Sequence, residues 1–137
     1  MRGVLVDSSV LLDVFTQDAA WFEWSSSALE RCASETALYI NPVIYAEVSI
    51  RFESIEQMDA ALPPDVFRRL EIPLEAAFLA GKAFLRYRRR GGIRTSTLPD
   101  FFIGAHAAVA GLRLLTRDER RCRAYFPTVT YISPRVG

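Results

Sequence analysis

The chain is poor in the residues that bind transition metals through nitrogen and sulfur. Its 137 residues include one histidine, His106, and two cysteines, Cys32 and Cys122. The cysteines are far apart in sequence and have no CxxC or Cys/His spacing, which argues against a zinc site and favours two free thiols over a disulfide. Lysine is almost absent as well. Lys82 is the only one, so arginine supplies nearly all of the positive charge.

Long apolar runs are also missing. No segment reaches the roughly 18 consecutive apolar residues that a membrane-spanning helix needs, so we expect no membrane association. The sequence opens on a strand-like run without the charged region, apolar stretch and cleavage site of a signal peptide, which predicts a cytoplasmic protein. The net charge of +1 gives no global attraction to nucleic acid or membrane.

Half of the residues are apolar, which fits one compact domain over residues 1–137 with one core. Strands and helices alternate along the chain, and this predicts an α/β domain with a parallel or mostly parallel sheet covered on both faces. The predicted strands are 3–6, 37–40, 67–72, 113–116 and 128–132. The predicted helices are 8–15, 18–33, 41–52, 55–62, 74–87, 98–110 and 118–124.

Four acidic residues stand at the ends of separate apolar segments. Asp7 closes the first strand, Glu47 lies in the third helix, Asp100 opens the long helix before Gly111, and Asp118 follows the fourth strand. Carboxylates at strand ends and helix starts can converge outside the carboxyl edge of a parallel sheet, where open α/β folds place their sites. Four such charges held together repel each other, and ligation by oxygen alone favours Mg²⁺ or Mn²⁺.

Each acid also has a simpler interpretation. Asp7 and Asp118 can cap helices, although Ser8 and Ser9 offer hydroxyl caps for the first one. Glu47 can be an exposed charge, and Asp100 can favour the helix dipole from the first turn. The order strand-Asp, helix-Glu, helix-start Asp and strand-Thr-x-Asp is much less expected by accident than any single member.

In this order the acids lie within motifs that resemble those of PIN-domain ribonucleases, most closely the VapC-type toxins of bacterial and archaeal toxin–antitoxin pairs. The resemblance extends over essentially the whole chain. The motifs are Val6-Asp7-Ser8-Ser9-Val10-Leu11-Leu12, Ala46-Glu47, Leu98-Pro99-Asp100-Phe101-Phe102-Ile103-Gly104-Ala105-His106-Ala107 and Leu115-Thr116-Arg117-Asp118.

The resemblance implies a three-layer α/β/α fold with a mostly parallel central sheet. It makes Asp7, Glu47, Asp100 and Asp118 the catalytic, metal-binding quartet, with Thr116 and Ser9 in support. Mg²⁺, or Mn²⁺, would activate a water that cleaves an RNA phosphodiester. The implied partners are the RNA substrate, a cognate antitoxin and a second copy of the chain in a homodimer. We expect no sequence-specific DNA binding by this chain itself.

Arginines cluster before the third acid and beside the fourth. They either form solvated charges with a favourable helix-dipole interaction or contact RNA phosphates, which positions RNA without reading its sequence. The candidates are Arg86, Arg88, Arg89, Arg90, Arg94 and Arg117. Trp21, Phe22 and Trp24 are either core residues or part of an antitoxin groove. His106 lies six residues after Asp100 and therefore on another helix face, which favours a packed or surface histidine.

Other functional classes fit less well. A haloacid-dehalogenase phosphatase needs a second aspartate two residues after the first, where this chain has Ser9. A receiver domain needs a lysine after a late strand, but Lys82 lies within a helix pattern. Two alternatives stay open. One is a PIN nuclease of RNA processing without an antitoxin, and the other is a non-catalytic RNA- or protein-binding module stabilised by a cation.

Overall fold

A computed structural model describes residues 2–91 and 97–134 of the protein. Five strands form one sheet in the order β3-β2-β1-β4-β5, and every pairing between them is parallel. The mostly parallel sheet expected from the sequence is therefore confirmed as wholly parallel. In chain order the strands are β1 (Val4–Val6), β2 (Leu38–Ile40), β3 (Phe67–Arg69), β4 (Arg113–Leu115) and β5 (Tyr131–Ile132).

Seven helices in the described residues surround this sheet and complete a three-layer α/β/α arrangement. In chain order they are α1 (Ser8–Phe15), α2 (Phe22–Glu35), α3 (Pro42–Ser49), α4 (Ile55–Ala61), α5 (Leu74–Arg89), α6 (Leu98–Ala110) and α7 (Arg120–Arg123). None of them is both long enough and apolar enough to cross a membrane.

β1 occupies the centre of the sheet. Its three residues are fully buried, as expected for a strand with neighbours on both sides and helices on both faces. Val4 pairs with β2 on one side and with β4 on the other. The chain first adds β2 and β3 on one side and then returns to add β4 and β5 on the other. The point between β1 and β4 is therefore the topological switch point, where open α/β sheets bind ligands.

An aromatic cluster fixes the start of α6 against its neighbours. Phe101 is almost fully buried. Its ring centroid lies 5.5 Å from those of Phe84 and Tyr87 on α5 and 5.4 Å from that of Tyr125 after α7. Such pairs add about 0.5–1.5 kcal/mol each beyond area burial. The residue just before Phe101 is the third acid, so this packing also positions its carboxylate.

Several element boundaries differ from those predicted. β3 is shorter than the predicted 67–72, and α2 begins later than residue 18 because Asp18 Oδ1 accepts from the backbone N–H groups of Ala20 and Trp21 in the preceding turn. α3 stops at Ser49 and leaves Ile50 83% exposed. The last predicted helix begins at Arg120 rather than at residue 118. As predicted, α6 ends at Gly111, which has a left-handed φ of 68°.

The apolar stripe of α5 faces outward. The helical pattern places Leu74, Phe78 and Leu85 on one side, and these are 88%, 68% and 41% exposed. The fully buried residues of α5 are small: Ala76, Ala80 and Ala83. Small side chains let α5 approach α6 closely, and α6 is the element with which it makes its most extensive contact.

Candidate functional site

A cavity of about 300 Å³ lies at the carboxyl edge of β1 and β4. The sequence-predicted acids come from four different elements and all line it: Asp7, Glu47, Asp100 and Asp118. The two predicted supporting residues, Ser9 and Thr116, line it too. The structure thus brings together side chains that are spread over most of the sequence.

Asp7 is placed by the sheet itself. Its N–H donates to the carbonyl of Leu115 at 2.9 Å, which extends the β1–β4 ladder by one residue. Asp7 is also the N-cap residue of α1, but its side chain makes no capping hydrogen bond. Instead, its Oδ2 accepts hydrogen bonds from the hydroxyls of Ser9 at 2.7 Å and Thr116 at 2.9 Å.

The same two hydroxyls hold the loop after β4. Ser9 Oγ accepts from the N–H of Arg117 at 3.3 Å, and Thr116 Oγ1 accepts from the N–H of Asp118 at 3.2 Å. Each hydroxyl therefore links the Asp7 carboxylate to a backbone amide of this loop. As a result, the position of Asp118 depends on that of Asp7.

Glu47 is held by α1. Ser8 Oγ donates to Glu47 Oε1 at 2.7 Å, and Ser8 itself is buried. The sequence-based expectation that Ser8 and Ser9 cap α1 with their hydroxyls is therefore wrong. Both side chains instead donate to carboxylates of the cavity, which are strong, charged acceptors.

Asp100 has a structural contact as well as a place in the cavity. Its Oδ2 accepts from the backbone N–H of Thr97 at 2.9 Å, as in a capping box at the start of α6. Its side chain is 20% exposed, and Arg121 Nη1 lies 3.7 Å from the same oxygen. Arg121 Nε is also 3.7 Å from Asp118 Oδ2, so one guanidinium lies between two of the acids.

The electrostatics of the cavity disfavour charge on its buried members. Burial raises the pKa of Asp7, and the charge of Asp100 adds to this, although the hydrogen bonds from Ser9 and Thr116 lower it. Burial likewise raises the pKa of Glu47, with contributions from the charges of Asp7 and Asp100 and an opposing hydrogen bond from Ser8. Burial and the nearby acids also raise the pKa of the Cys122 thiol.

This donor set has the chemistry that Mg²⁺ or Mn²⁺ prefers. The four acids offer only oxygen ligands, and a cation would relieve the repulsion between them. Among the described residues, no three His, Cys, Asp or Glu side chains are already gathered closely enough to hold an ion. Binding would therefore require the carboxylates to converge.

The predicted RNA-binding arginines fall into two groups. Arg86 and Arg90 lie over the ring of Tyr125, with guanidinium carbons 5.9 Å and 5.7 Å from its centroid, and Arg88 lies over Phe84. These three and Arg89 are exposed on the end of α5 but do not line the cavity. Arg117 does line it, together with Arg121. Arg94 lies outside the described residues.

His106 is packed in the interior and does not line the cavity of the four acids. It is only 1% exposed, and its Nδ1 lies 3.0 Å from Asn41 Nδ2. Because Asn41 Oδ1 accepts from the N–H of Ile44 as the N-cap of α3, its amide group points Nδ2 toward the histidine. His106 Nδ1 is then the acceptor, and this bond joins the helix of Asp100 to the helix of Glu47.

Sequence reasoning missed the buried acid Asp13 near the cavity. It is 2% exposed, accepts from Ser25 Oγ at 2.8 Å, and its Oδ2 lies 3.1 Å from Arg117 Nε. The only available signal was an acid on an otherwise apolar helix face between Leu12 and Val14. The partners come from distant segments and have no local signature.

Comparisons with known proteins agree with this fold. The PIN domain family model matches residues 4–127. Similar solved structures include VapBC2 from Rickettsia felis bound to a fragment of its promoter DNA, with a TM-score of 0.72, 15% identity, and coverage of 97% of this chain and 98% of that one. A toxin–antitoxin complex from Klebsiella pneumoniae has a TM-score of 0.70, 22% identity and coverage of 97% and 98%.

A third similar structure is Mycobacterium tuberculosis VapC20, a toxin that cleaves the sarcin–ricin loop. It has a TM-score of 0.65, 15% identity, and coverage of 90% of this chain and 96% of that one. No curated protein matches the sequence. A parallel sheet in the order 3-2-1-4-5, with four acids lining one cavity at its switch point, defines an open α/β protein. The chain belongs to the PIN domain family.

Proposed function

We propose that the protein is a Mg²⁺- or Mn²⁺-dependent endoribonuclease that acts as the toxin of a toxin–antitoxin pair. One observation carries the proposal. Asp7, at the end of the central strand, shares a single cavity with three further acids, and its pKa is raised by burial and by the charge of Asp100. A site that concentrates unfavourable negative charge in this way is suited to a divalent cation.

The acids have distinct roles in this proposal. Asp7 and Asp100 are direct ligands of the cation, while Glu47 and Asp118 complete its shell or act through water. The chemistry that such an ion supplies is a more acidic water and stabilisation of negative charge on the phosphate. Ser9 and Thr116 orient Asp7 through their hydrogen bonds to Oδ2. Ser8 orients Glu47 in the same way.

The reaction is the hydrolysis of an RNA phosphodiester. The oxygen of water forms a bond to phosphorus while the bond from phosphorus to the 3′ oxygen breaks, leaving 5′-phosphate and 3′-hydroxyl ends. None of the side chains that line the cavity stands out as an obligatory general base. Arg121 lies between Asp100 and Asp118 and is 48% exposed, so it is placed to attract the phosphate at the mouth of the cavity.

The partner of the toxin would be a cognate antitoxin. Support comes from the similar structures of toxin–antitoxin complexes in Rickettsia felis and Klebsiella pneumoniae. The Rickettsia complex is bound to promoter DNA. We propose that in this system DNA contact belongs to the antitoxin, that the toxin forms a homodimer, and that cleavage inhibits translation or growth.

The direct test is cleavage of total cellular RNA by the purified protein with Mg²⁺, with Mn²⁺ and with EDTA. We expect discrete fragments whose formation needs metal. The cleavage rate should fall roughly 100-fold or more in Asp7→Asn and Asp100→Asn, since each substitution replaces a charged ligand by a neutral side chain of similar shape. Asp65→Asn is the matched control, because Asp65 is exposed and outside the cavity. It should cleave like the unsubstituted protein.

Cleavage that persists in EDTA or in Asp7→Asn would contradict the mechanism. The same experiment separates the leading proposal from a cation-stabilised binding module, since such a module would bind the metal and gain thermal stability without cutting any RNA pool. Co-expression with a neighbouring small gene that restores growth would separate a toxin from a PIN nuclease of RNA processing.

A further inference from the structure

A second cavity adjoins the acidic one and has a different character. It measures about 420 Å³ and shares Arg117 and Asp118 with the first cavity. Its other walls come from the start of α2, the beginning of α7 and the segment after β5. Besides Arg117 and Asp118, the second cavity is lined by Trp21, Glu119, Arg120, Ser133 and Pro134.

Trp21 presents an aromatic surface to this cavity. Its neighbour in the helix pattern, Trp24, packs against the hydrophobic core. Trp21 is only half-buried and lines the second cavity instead. The guanidinium carbon of Arg117 lies 5.5 Å from the centroid of the Trp21 ring, which forms a cation–π stack at the boundary between the two cavities.

The arginine of this stack is anchored from behind. Arg117 Nε lies 3.1 Å from Oδ2 of Asp13, which is 2% exposed. A buried carboxylate strongly favours a cationic partner, so Asp13 holds the guanidinium in place. Ser25, on α2, donates to the same oxygen of Asp13 at 2.8 Å. The stack is therefore built into the fold rather than formed by two mobile surface side chains.

We propose that Trp21 and Arg117 form a stacking platform for the base of a nucleotide next to the cleaved phosphodiester. The inference rests on the proposed ribonuclease function. Single-stranded RNA is recognised largely by stacking of splayed bases on aromatic rings and arginine planes. Because Asp118 borders both cavities, a nucleotide whose phosphate lies among the acids has its neighbouring base beside Trp21.

Positive charge at the rim of the platform suits the phosphates of an RNA strand. Arg120 is 86% exposed at the rim, where the next phosphate of a strand would pass, and its Nε lies 3.3 Å from Asp118 Oδ1. Together, the aromatic face, two arginines and the shared wall with the acids match the alternation of base and phosphate along one RNA strand.

The test measures binding of a short, labelled, single-stranded oligoribonucleotide of mixed sequence in Mg²⁺. All proteins carry Asp7→Asn so that the RNA stays intact. We expect Trp21→Ala to weaken binding about 10-fold, the effect of losing roughly one stacked base. Trp21→Phe, which keeps an aromatic ring, should lose less. Phe78→Ala is the control, since it removes a 68% exposed aromatic side chain from α5, away from both cavities.

A second arm locates the contact on the RNA. A series of oligonucleotides, each with one abasic nucleotide at a different position, is bound to the Asp7→Asn protein. The oligonucleotide that lacks the stacked base should bind more weakly than the others. Adding Trp21→Ala to the protein should remove that difference. Equal binding by the Trp21 and Trp21→Ala proteins, with matching thermal stability, would overturn the platform and leave the stack to a protein partner. If the Asp7→Asn protein binds no RNA and the unsubstituted protein cuts none, the ribonuclease proposal fails as well.

Discussion

Two hydroxyl groups donate to one carboxylate oxygen of Asp7, yet the pKa of this acid is raised. Desolvation therefore outweighs two hydrogen bonds. A carboxyl whose pKa is higher in the folded protein than in the unfolded chain stabilises the fold at low pH. That stability is lost as the pH rises through the folded-state pKa. At neutral pH, the metal-free fold therefore disfavours the ionised form of Asp7.

The first prediction follows from the upward shift of the Asp7 pKa. In EDTA at neutral pH, Asp7→Asn should have a higher melting temperature than the unsubstituted protein, because it removes the unfavourable charge and keeps an acceptor for Ser9 or Thr116. The difference should shrink as the pH falls toward 3.8, the ordinary pKa of an aspartate. Calorimetric scans across that range, with Asp65→Asn as control, measure it. A lower melting temperature at neutral pH would show that the charge is stabilising.

The second prediction concerns His106, whose pKa is lowered by burial from its ordinary value of 6.5. Protonation would also place a donor against Asn41 Nδ2, which is already a donor. Above pH 6.5 the histidine is neutral in both states, and below it the unfolded chain takes up the proton first. The contribution of His106 to stability should therefore decline as the pH falls below 6.5.

Urea denaturation at several pH values tests this decline. His106→Asn keeps an amide oxygen near the position of Nδ1 but does not titrate, so its free energy of unfolding should lack the decline that the histidine causes. If the free energy of unfolding changed with pH in the same way for both proteins, His106 would not be the cause of the decline. The absolute stability of the variant is expected to be lower, because the smaller side chain leaves a cavity.

At the scale of elements, the packing of α6 against the α7 segment depends on one glycine. A Cβ at Gly104 would lie 2.5 Å from Cδ2 and 2.8 Å from Cε2 of Phe126, whose ring is itself buried. We expect Gly104→Ala to destabilise the protein by about 1–3 kcal/mol, the usual cost of overpacking. It should also reduce RNA cleavage, because α6 carries Asp100.

Gly81 on α5 provides the matched control. Nothing lies within 4 Å of a Cβ built there, and the site is exposed within a helix. Gly81→Ala should therefore stabilise the protein by about 0.5–1 kcal/mol, because alanine has a higher helix propensity than glycine. Denaturant unfolding of both variants distinguishes a steric effect at Gly104 from a general effect of glycine replacement. Similar shifts for both would refute the packing argument.

The elements themselves could be predicted from the sequence where a local pattern decides them. The buried run before Asp7, the Asn41-Pro42 start of α3 and the Gly111 stop of α6 each have a local physical signature. The outward stripe of α5 was harder to interpret, since apolar side chains at helical spacing usually face the core. Alanines on the opposite side form the buried contact instead, and only the position of α6 decides between the two faces.

The candidate site divides in the same way. Parallel strands send their carboxyl ends to one edge, so the convergence of Asp7 and Asp118 could be predicted from element order alone. Two other contacts could not be predicted. The hydrogen bond from Ser8 to Glu47 joins residues 39 positions apart, and the pairing of Asp13 with Arg117 joins residues 104 positions apart. Their distance in sequence leaves no periodic pattern to recognise.

For the whole molecule, a bound cation should couple to folding. A ligand that binds only the folded state stabilises it by about 2.7 kcal/mol at roughly 100 times its Kd. We expect saturating Mg²⁺ or Mn²⁺ to raise the melting temperature of the unsubstituted protein, EDTA to reverse this, and Asp7→Asn to abolish most of the gain. Calorimetry at neutral pH checks it. An equal rise in Asp7→Asn and Asp65→Asn would mean that the ions act elsewhere.

The hydrogen bond between Thr116 and Asp7 spans 109 positions of the chain. During synthesis, Asp7 therefore leaves the ribosome long before Thr116, just after β4, has been made, and β1 stays without one of its two neighbouring strands for nearly the same interval. A growing polypeptide consequently has no complete acidic cavity until translation has passed Asp118. An RNA-cutting activity built on this topology would be withheld from the ribosome that makes it until the codon for Asp118 has been read.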